Sequence, residues 1–505
     1  MSINEKTSRL LGKRDIVNIG ILLAIAIAIG IYLIATTVVI AEDGVYYIKT
    51  AQRFSSNAVD VIKKDHPFGY PFLVFIAHKL VSACNNSLSL STWIYSAQSV
   101  SLLCRLLAIV FLYFIGKLLT GSNNSFWAIL IFVILPYPAK AGSDVLRDWP
   151  HLLFLAAGFL FLLWGAKQGK WWMFGAAGLV AGLGYMIRDE CAQLVIYGIL
   201  WLLISFFFPA NRMSRTKLVL ALLVLLTGFA ISTIPYMKLR GSFLPLKLKN
   251  LLALSCQLDA CRLQERKIDD TMYSASGLPV RITQAVRHIL QGVSENLMYF
   301  FLPAWVIGIW WHWGGRNSHL TAIEKFFIPA FTAFNFVMLT LLFYNYGYVS
   351  RRHVLPLVAF TISYVPIGLQ VMSNWIAAKF SRQNPQLWFF VLLGTGICIS
   401  LLNLFKPIHA EKQIYRTVAK WLAQNTGSED AIAVADERIS FYAERKGLEY
   451  SGGKIPKGAR YLLKVVSSEE QQPDLGQAVQ EEQSWWIDKQ NGKKLVAYRV
   501  MQPKK

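Results

Sequence analysis

The sequence has few charged residues for its length, and acidic residues are the scarcer kind. Only 16% of its 505 residues are charged, with 29 Asp and Glu against 51 Lys and Arg. A soluble protein needs more charge than this to cover its surface, so an array of soluble domains is excluded. Six cysteines are too few for a disulfide scaffold. We find no Walker loop, GxGxxG turn, internal repeat or low-complexity tract, so nothing supports energy coupling by a bound nucleotide.

Apolar residues dominate instead. They make up 54% of the chain, and apolar runs of about 20 residues, the length that crosses a bilayer, recur throughout. This pattern predicts an all-α polytopic membrane protein with about eleven spans. We place them near residues 17–40, 96–117, 124–138, 149–166, 171–187, 191–210, 218–237, 297–313, 326–345, 353–372 and 387–405.

The net charge of +22 does not indicate a nucleic-acid partner, because the cations lie scattered in short loops between the apolar runs. The N-terminal segment carries Lys6, Arg9, Lys13 and Arg14, and the later loops on the same side are also basic. By the positive-inside rule, the N-terminus is cytoplasmic and the C-terminus lies outside. The first apolar run is too long for a signal-peptide core, so we interpret it as a retained anchor.

The opposite side carries the long segments. They are a first outer loop at residues 41–95, a second at 238–296 and a tail at 406–505. Residues 1–405 would form a membrane module and 406–505 a small soluble α/β domain, with a helix over 414–423, a strand over 431–435 and a helix over 437–445. The run Phe68–Ala83 is predicted to be an interfacial helix; the alternative, a further span, would invert the cation bias of every later loop.

The cysteines say little about function. Cys256 and Cys261 lie in the second outer loop, where a disulfide is one interpretation. Cys104, Cys191 and Cys398 lie in or near apolar spans and are expected to be packing residues. No spacing indicates a zinc site.

Polar residues gather at the outer ends of the spans. Glu42 and Asp43 follow the first span and could either carry chemistry or simply cap the next helix. His66 opens a rigid His-Pro-Phe-Gly-Tyr-Pro turn. Asp144, Arg147 and Asp148 precede the fourth span, Arg188, Asp189 and Glu190 divide the fifth from the sixth, and Arg351 and Arg352 follow the segment Tyr344–Tyr348.

Arg105 stands apart because it lies inside the second span. A guanidinium there either faces a polar interior or extends its charge toward the interface.

The order of these features resembles the GT-C membrane glycosyltransferases, in the branch of the protein O-mannosyltransferases and the lipid A aminoarabinose transferase. The carriers are Asp43, Tyr47 and Ala51 at helical spacing, the turn His66–Pro71, and the Arg-Arg-His-Val-Leu-Pro entry at 351–356. A tail pattern at 418–422, 431–436 and 442–445 completes the resemblance, which spans nearly the whole chain.

The resemblance implies transfer of a sugar, with inversion, from a polyprenyl-phosphate donor to an acceptor hydroxyl on the outer face of a bacterial inner membrane. Asp43 would be the general base and Glu42 its helper. Several relatives have the order Asp-Glu at this motif, so the reverse assignment, with Glu42 as the base and Asp43 as its helper, stays open. His66, Arg351 and Arg352 would hold the departing phosphate. Asp148, Asp144 and Tyr346 would contact the acceptor or the sugar.

The resemblance implies no required cofactor or metal, although Glu42, Asp43 and Asp148 could bind a divalent ion if the fold joined them. The acceptor is left open as lipid, glycan or protein. A transporter or lipid flippase is the main alternative function, and a membrane scaffold is a third. Ionisable residues at outer helix ends and a long outer tail favour the transferase over both.

Overall fold

We describe a computed structural model of the chain. It describes residues 11–63, 66–84, 89–207, 213–241, 278–313, 322–380, 384–451, 454–467, 479–488 and 491–501, and for residues 278–280, 322–325, 345 and 346 it describes the backbone only. Cys256 and Cys261, with most of the second outer loop, lie outside the described residues.

The described part of residues 11–405 is helical. Its first half contains α1 (Lys13–Ala35), α2 (Glu42–Arg53), α3 (Ala58–Lys63), α4 (Gly69–Cys84), α5 (Leu90–Thr120), α6 (Ser122–Ile134), α7 (Pro136–Ala141), α8 (Asp148–Gln168) and α9 (Trp172–Tyr185). The second half contains α10 (Gln193–Phe207), α11 (Arg215–Arg240), α12 (Leu278–Asn296), α13 (Leu302–Trp313), α14 (Ala322–Tyr346), α15 (Arg351–Thr361), α16 (Val365–Lys379) and α17 (Pro385–Leu404).

Among the described residues, eight helical segments are long and apolar enough to cross a membrane. They are Lys13–Ala35, Leu90–Thr120, Asp148–Gln168, Asp189–Phe207, Arg215–Arg240, Phe326–Tyr344, Arg351–Lys379 and Pro385–Leu404. The other three of the eleven predicted spans correspond to the shorter helices α6, α9 and α13, of 13, 14 and 12 residues. The prediction of a polytopic helical membrane protein is confirmed.

Small residues set the closest contacts between these helices. A Cβ added to Gly308 of α13 would lie 1.9 Å from the carbonyl oxygen of Tyr364, and one added to Gly368 of α16 would lie 1.7 Å from that of Ala304. Only glycine allows the two backbones to approach so closely, as is typical of helix crossings in membranes.

The run predicted to lie at the interface forms α4. Its Tyr70 and Val74 are fully buried against α2 and α5, and the His78 ring stacks on Trp93 at a centroid distance of 3.5 Å. Gly69 at its start lets the chain touch the end of α9, where the Gly69 N–H donates to the Met186 carbonyl at 2.7 Å. This contact joins the rigid turn to the α9–α10 corner.

The tail forms the predicted α/β unit. Its described elements are α18 (Gln413–Asn425), β1 (Ala431–Val434), α19 (Glu437–Tyr442), β2 (Lys446–Glu449), β3 (Ala459–Ser467), β4 (Val479–Asp488) and β5 (Lys493–Val500). The strand order is β2-β1-β3-β5-β4, with β1 parallel to β2 and β3, and β5 antiparallel to β3 and β4. The second predicted helix ends at Tyr442 rather than Arg445, because Glu444 turns the chain at φ 54° into β2.

The tail packs on the segment that leads from α1 to α2. The Val38 N–H donates to the Ile408 carbonyl at 3.1 Å, and the Ile40 N–H donates to the Tyr442 hydroxyl at 2.9 Å. Arg416 donates to the Val38 carbonyl at 3.0 Å. The tail and the first loop therefore lie on the same side of the helical bundle.

Candidate functional site

The two acidic residues after the first span form the first turn of α2. This position suits them, because the N-terminal end of a helix carries a partial positive charge. The two side chains have different surroundings. Asp43 lines a cavity, whereas Glu42 is exposed and interacts electrostatically with Arg438 and Tyr415 of the tail.

The cavity has a volume of about 240 Å³ and lies where four parts of the chain meet. These parts are the start of α2, the start of α8, the corner before α10 and the segment from α14 to α15. Its lining residues are Asp43, Tyr47, Arg147, Asp148, Arg188, Leu342, Tyr348, Arg352 and His353. We call it the acidic-arginine cavity, since its ionic groups are two carboxylates and three guanidinium groups.

Arg352 and Asp43 form the first ion pair of the cavity. The Arg352 Nη1 atom donates to the Asp43 Oδ2 atom at 2.6 Å, although the two residues are 309 positions apart. Arg352 lies in the first turn of α15, so a rigid helix holds it opposite the start of α2. The Asp43 side chain remains 46% exposed, which leaves its carboxylate accessible from the cavity.

Asp148 and Arg188 form the second pair and are more buried. Arg188 Nη1 donates to Asp148 Oδ1 at 3.1 Å, and Arg188 Nε lies 3.5 Å from Glu190 Oε2. Burial alone would lower the pKa of Arg188, but Glu190 and Asp148 outweigh it, and the net shift is upward. Asp148 Oδ2 is buried without a hydrogen-bond partner among the described residues, so it is free to accept a hydrogen bond from a bound molecule.

Asp144 does not line the acidic-arginine cavity. Its Oδ1 accepts hydrogen bonds from the N–H groups of Ala41 at 3.0 Å and Val145 at 2.7 Å, and its Oδ2 lies 3.2 Å from Nε2 of His409. With only 3% of its surface exposed, Asp144 joins the start of α2 to the tail. The structure thus gives it a positioning contact rather than an open face for a substrate.

The His409–Asp144 contact predicts a pH-dependent stability. The hydrogen bond that His409 donates to the Asp144 carboxylate raises the pKa of His409 above 6.5 despite partial burial, and Glu411 at 3.4 Å adds to the rise. A group whose pKa is raised by folding stabilises the fold fully at pH values below its unfolded-state pKa. This stabilisation is lost as the pH rises through its folded-state pKa. We expect the Tm to fall over that window above pH 6.5.

The matched variant for this test is His409→Asn. His409 has φ 54°, and Asn tolerates that left-handed backbone better than other non-glycine residues. Differential scanning fluorimetry between pH 5 and 9 would measure the slope. If the variant keeps the wild-type slope, His409 is not its source.

The other predicted phosphate ligands lie elsewhere. Arg351 pairs with Glu295 of α12 at 3.2 Å and lies over the Tyr137 ring at 5.1 Å, outside the cavity lining. His66 is exposed, with its ring 5.4 Å from that of Tyr46, and is also outside the lining. Tyr346 ends α14, and its side chain lies outside the described part of the structure.

Arg105 is in the bundle interior, the first of its two predicted placements. It is fully buried, donates through Nη2 to the Val133 carbonyl at 2.8 Å and lies over the Trp149 ring at 5.7 Å. A Cβ on Gly142 would lie 2.5 Å from the Arg105 side chain, so this glycine makes room for it. Arg105 thus contacts the end of α6 and the start of α8, and it does not line the cavity.

The carboxylates do not form a ready metal site. Within the described ranges, no group of three or more His, Cys, Asp or Glu side chains is arranged to hold a metal ion. Asp43 and Asp148 each face an arginine, and Glu42 points toward the tail. The fold therefore does not bring together the three carboxylates that the sequence suggested as divalent-ion ligands.

Sequence reasoning did not nominate Arg147, Arg188, Tyr348 or His353, which line the cavity. It noted Arg147 and Arg188 only as charges at helix ends, and Tyr348 and His353 only as parts of motifs. The usable signal was that they stand beside or within the same motifs as Asp148, Glu190 and Arg352. Which of these neighbours faces the cavity depends on helix rotation, which spacing alone does not specify.

Comparisons with known proteins agree with this architecture. Residues 65–234 match the family model described as dolichyl-phosphate-mannose-protein mannosyltransferase. Among curated proteins, none matches the sequence.

Solved structures share the fold. The oligosaccharyltransferase of Archaeoglobus fulgidus, in complex with Zn and sulfate, is 12% identical at a TM-score of 0.58, over 88% of this chain and 67% of that one. The archaeal oligosaccharyltransferase AglB from Archaeoglobus fulgidus, in complex with an inhibitory peptide and a dolichol-phosphate, is 11% identical at a TM-score of 0.55, over 89% of this chain and 69% of that one. ArnT from Cupriavidus metallidurans, bound to undecaprenyl phosphate, is 12% identical at a TM-score of 0.56, over 95% of this chain and 97% of that one.

At these identities the likeness concerns the fold. The resemblance found in the sequence is confirmed: the chain is an integral membrane protein with the GT-C fold of the membrane glycosyltransferases, and residues 65–234 match their dolichyl-phosphate-mannose-protein mannosyltransferase family.

Proposed function

We propose that the protein transfers a sugar from a polyprenyl-phosphate carrier to an acceptor hydroxyl, with inversion, and that the reaction takes place in the acidic-arginine cavity. The observation that carries this proposal is the meeting of Asp43 with Arg352 at 2.6 Å beside Asp148. This places a carboxylate that can accept a proton next to cations that can stabilise a departing phosphate.

The reaction requires one bond to form as another breaks. The acceptor oxygen attacks the anomeric carbon while Asp43 takes the hydroxyl proton. The bond between the anomeric carbon and the phosphate oxygen breaks, and its electron pair leaves with the polyprenyl phosphate. Arg352 orients the Asp43 carboxylate through its ion pair and contributes positive charge beside the leaving group.

Asp148 is suited to hold the sugar or the acceptor. Its Oδ1 atom is occupied by Arg188, whereas Oδ2 has no hydrogen-bond partner among the described residues. A carboxylate oxygen in that state accepts a hydrogen bond from a hydroxyl group well. Glu42 is exposed toward the tail, so the geometry favours Asp43 over Glu42 as the base.

The site is proposed to face the periplasm. Asp43 lies in the first turn of the helix after the first span, and the tail packs on the segment that leads into this helix. The basic N-terminus before that span is predicted to be cytoplasmic, which puts the cavity and the tail on the opposite face. The two relatives seen with dolichol-phosphate and undecaprenyl phosphate support a lipid-phosphate donor for this chain.

The test is an assay of the purified protein with a panel of labelled polyprenyl-phosphate sugars and an acceptor extract, with liberated polyprenyl phosphate as the readout. Turnover of one donor would support the transferase and identify the sugar. A folded protein that turns over none, yet moves labelled lipid between the leaflets of vesicles, would favour the flippase instead.

Metal independence is a separate prediction. Since both cavity carboxylates are paired with arginines, we expect turnover to be unchanged after dialysis against EDTA. The control is the same dialysis followed by addition of Mg²⁺, Mn²⁺ or Zn²⁺ in turn. Loss of turnover with EDTA and its recovery with one ion would contradict the prediction.

A further inference from the structure

The three guanidinium groups of the acidic-arginine cavity are not equivalent. Arg352 is paired with Asp43 at 2.6 Å, and Arg188 is paired with Asp148 at 3.1 Å. Arg147 lines the same cavity but has no carboxylate partner among the described residues. Its guanidinium lies over the Tyr47 ring at 5.9 Å.

The charge of the cavity follows from this pairing. Within the lining, Asp43 pairs with Arg352 and Asp148 pairs with Arg188, and Glu190, which is outside the lining, lies 3.5 Å from Arg188 as a second carboxylate. Arg147 is therefore the guanidinium group of the lining that has no carboxylate partner among the described residues. A partly buried cation without a counter-ion is costly, and a bound anion would remove that cost. The cavity therefore favours a ligand that brings negative charge to Arg147.

Tyr47 adds a neutral donor next to this charge. It is 6% exposed, lines the cavity, and its hydroxyl makes no hydrogen bond to another described residue. Burial raises the pKa of Tyr47 to about 12, so its hydroxyl keeps its proton at neutral pH. Tyr47 also packs edge-on against Tyr70 at 5.1 Å, which limits the movement of its ring.

The fold holds both groups in place. Arg147 occupies the N-cap position of α8 directly before Asp148, and Tyr47 lies one turn after Asp43 on α2. A Cβ on Gly44 would lie 2.9 Å from Val145 Cβ, so the two segments are in close contact. An anion at Arg147 and Tyr47 would thus be beside both the base and Asp148.

We propose that Arg147 and Tyr47 bind the phosphate of the polyprenyl carrier and stabilise its charge as it leaves. This inference rests on the proposed function and replaces His66 and Arg351 as the principal phosphate ligands. The Arg147 fork can donate two hydrogen bonds to phosphate oxygens, and the Tyr47 hydroxyl can donate a third.

The experiment measures binding of undecaprenyl phosphate and, separately, of undecaprenol, which lacks the phosphate, to the full-length protein in nanodiscs. The variants are Arg147→Gln, Arg147→Lys and Tyr47→Phe. The matched control is Arg53→Gln, which removes the same charge from the exposed end of α2. Melting curves establish that each variant is folded.

We expect Arg147→Gln to weaken undecaprenyl phosphate binding by about 10- to 100-fold and Tyr47→Phe by about 2- to 10-fold. Arg147→Lys should lie between Arg147→Gln and wild type, because lysine keeps the charge but not the fork. Undecaprenol binding should be unchanged in all variants, and Arg53→Gln should bind both lipids as wild type does.

Several results would overturn the inference. Arg147→Gln that binds undecaprenyl phosphate like wild type, or that loses undecaprenol equally, would exclude a phosphate contact. An effect confined to the KM for the acceptor would assign Arg147 to the acceptor instead. Failure of the proposed function is distinguishable, because a wild-type protein that binds undecaprenyl phosphate through Arg147 yet turns over no donor retains the phosphate site without the transferase activity.

Discussion

Replacement of Asp43 by Asn is expected to lower donor turnover by about 10²- to 10⁴-fold while the protein remains folded. The amide keeps the shape of the carboxylate but cannot take the acceptor proton. Because Asp43 is 46% exposed and lies in the first turn of α2, its loss should change the melting temperature little. The measurement is initial rates of polyprenyl phosphate release, with donor binding determined separately.

Glu42→Gln is the companion variant because it removes the same charge one residue away. Glu42 is exposed toward the tail and does not line the cavity, so its loss should reduce turnover far less. The opposite ranking, with Glu42→Gln the more damaging variant, would show that the base is Glu42, the first residue of the acidic pair.

Replacement of Arg188 by Met is expected to be the most destabilising single change at the site. Arg188 and Asp148 are 8% and 6% exposed and form an ion pair at 3.1 Å. Removing the cation leaves a buried carboxylate without its partner, which costs about 3–5 kcal/mol. Thermal unfolding in detergent, followed by intrinsic fluorescence, would report a lower Tm.

A double variant makes this prediction specific to the pair. Arg188→Met combined with Asp148→Asn removes both charges, so it should recover a large part of the lost stability. It should not recover turnover, since Asp148 Oδ2 is proposed to hold a hydroxyl of the sugar or acceptor. If the two substitutions are additive in stability, the pair does not stabilise the fold as described.

The positions of the ends of the elements show how far local sequence information reaches. The strand predicted at 431–435 is observed at Ala431–Val434, and the helix predicted at 414–423 lies within Gln413–Asn425. These boundaries follow from local periodicity and turn residues. Hydropathy predicts longer segments than the helices α6, α9 and α13 because it measures apolar length, whereas packing decides where each helix ends.

The site separates the two kinds of information more clearly. Hydropathy and charge bias predicted a polytopic membrane protein, and the resemblance carried by the ordered motifs implied the GT-C fold and nominated Asp43 and Arg352 as members of one site. They did so because these properties are local or statistical. The position of Asp144 and Asp148 before the fourth predicted span also follows from local sequence alone.

Only the tertiary structure decided what these residues contact. Asp148 faces the cavity and Asp144 the tail, although they are four positions apart, and Arg147 rather than Arg351 is the arginine without a carboxylate partner in the cavity lining among the described residues. The reason is geometric: Arg352 meets Asp43 across 309 residues, and such contacts depend on how helices rotate and pack against one another. Sequence thus determined the class of protein and most of its polar candidates, while packing determined which carboxylate pairs with which cation and which cation is left for a ligand.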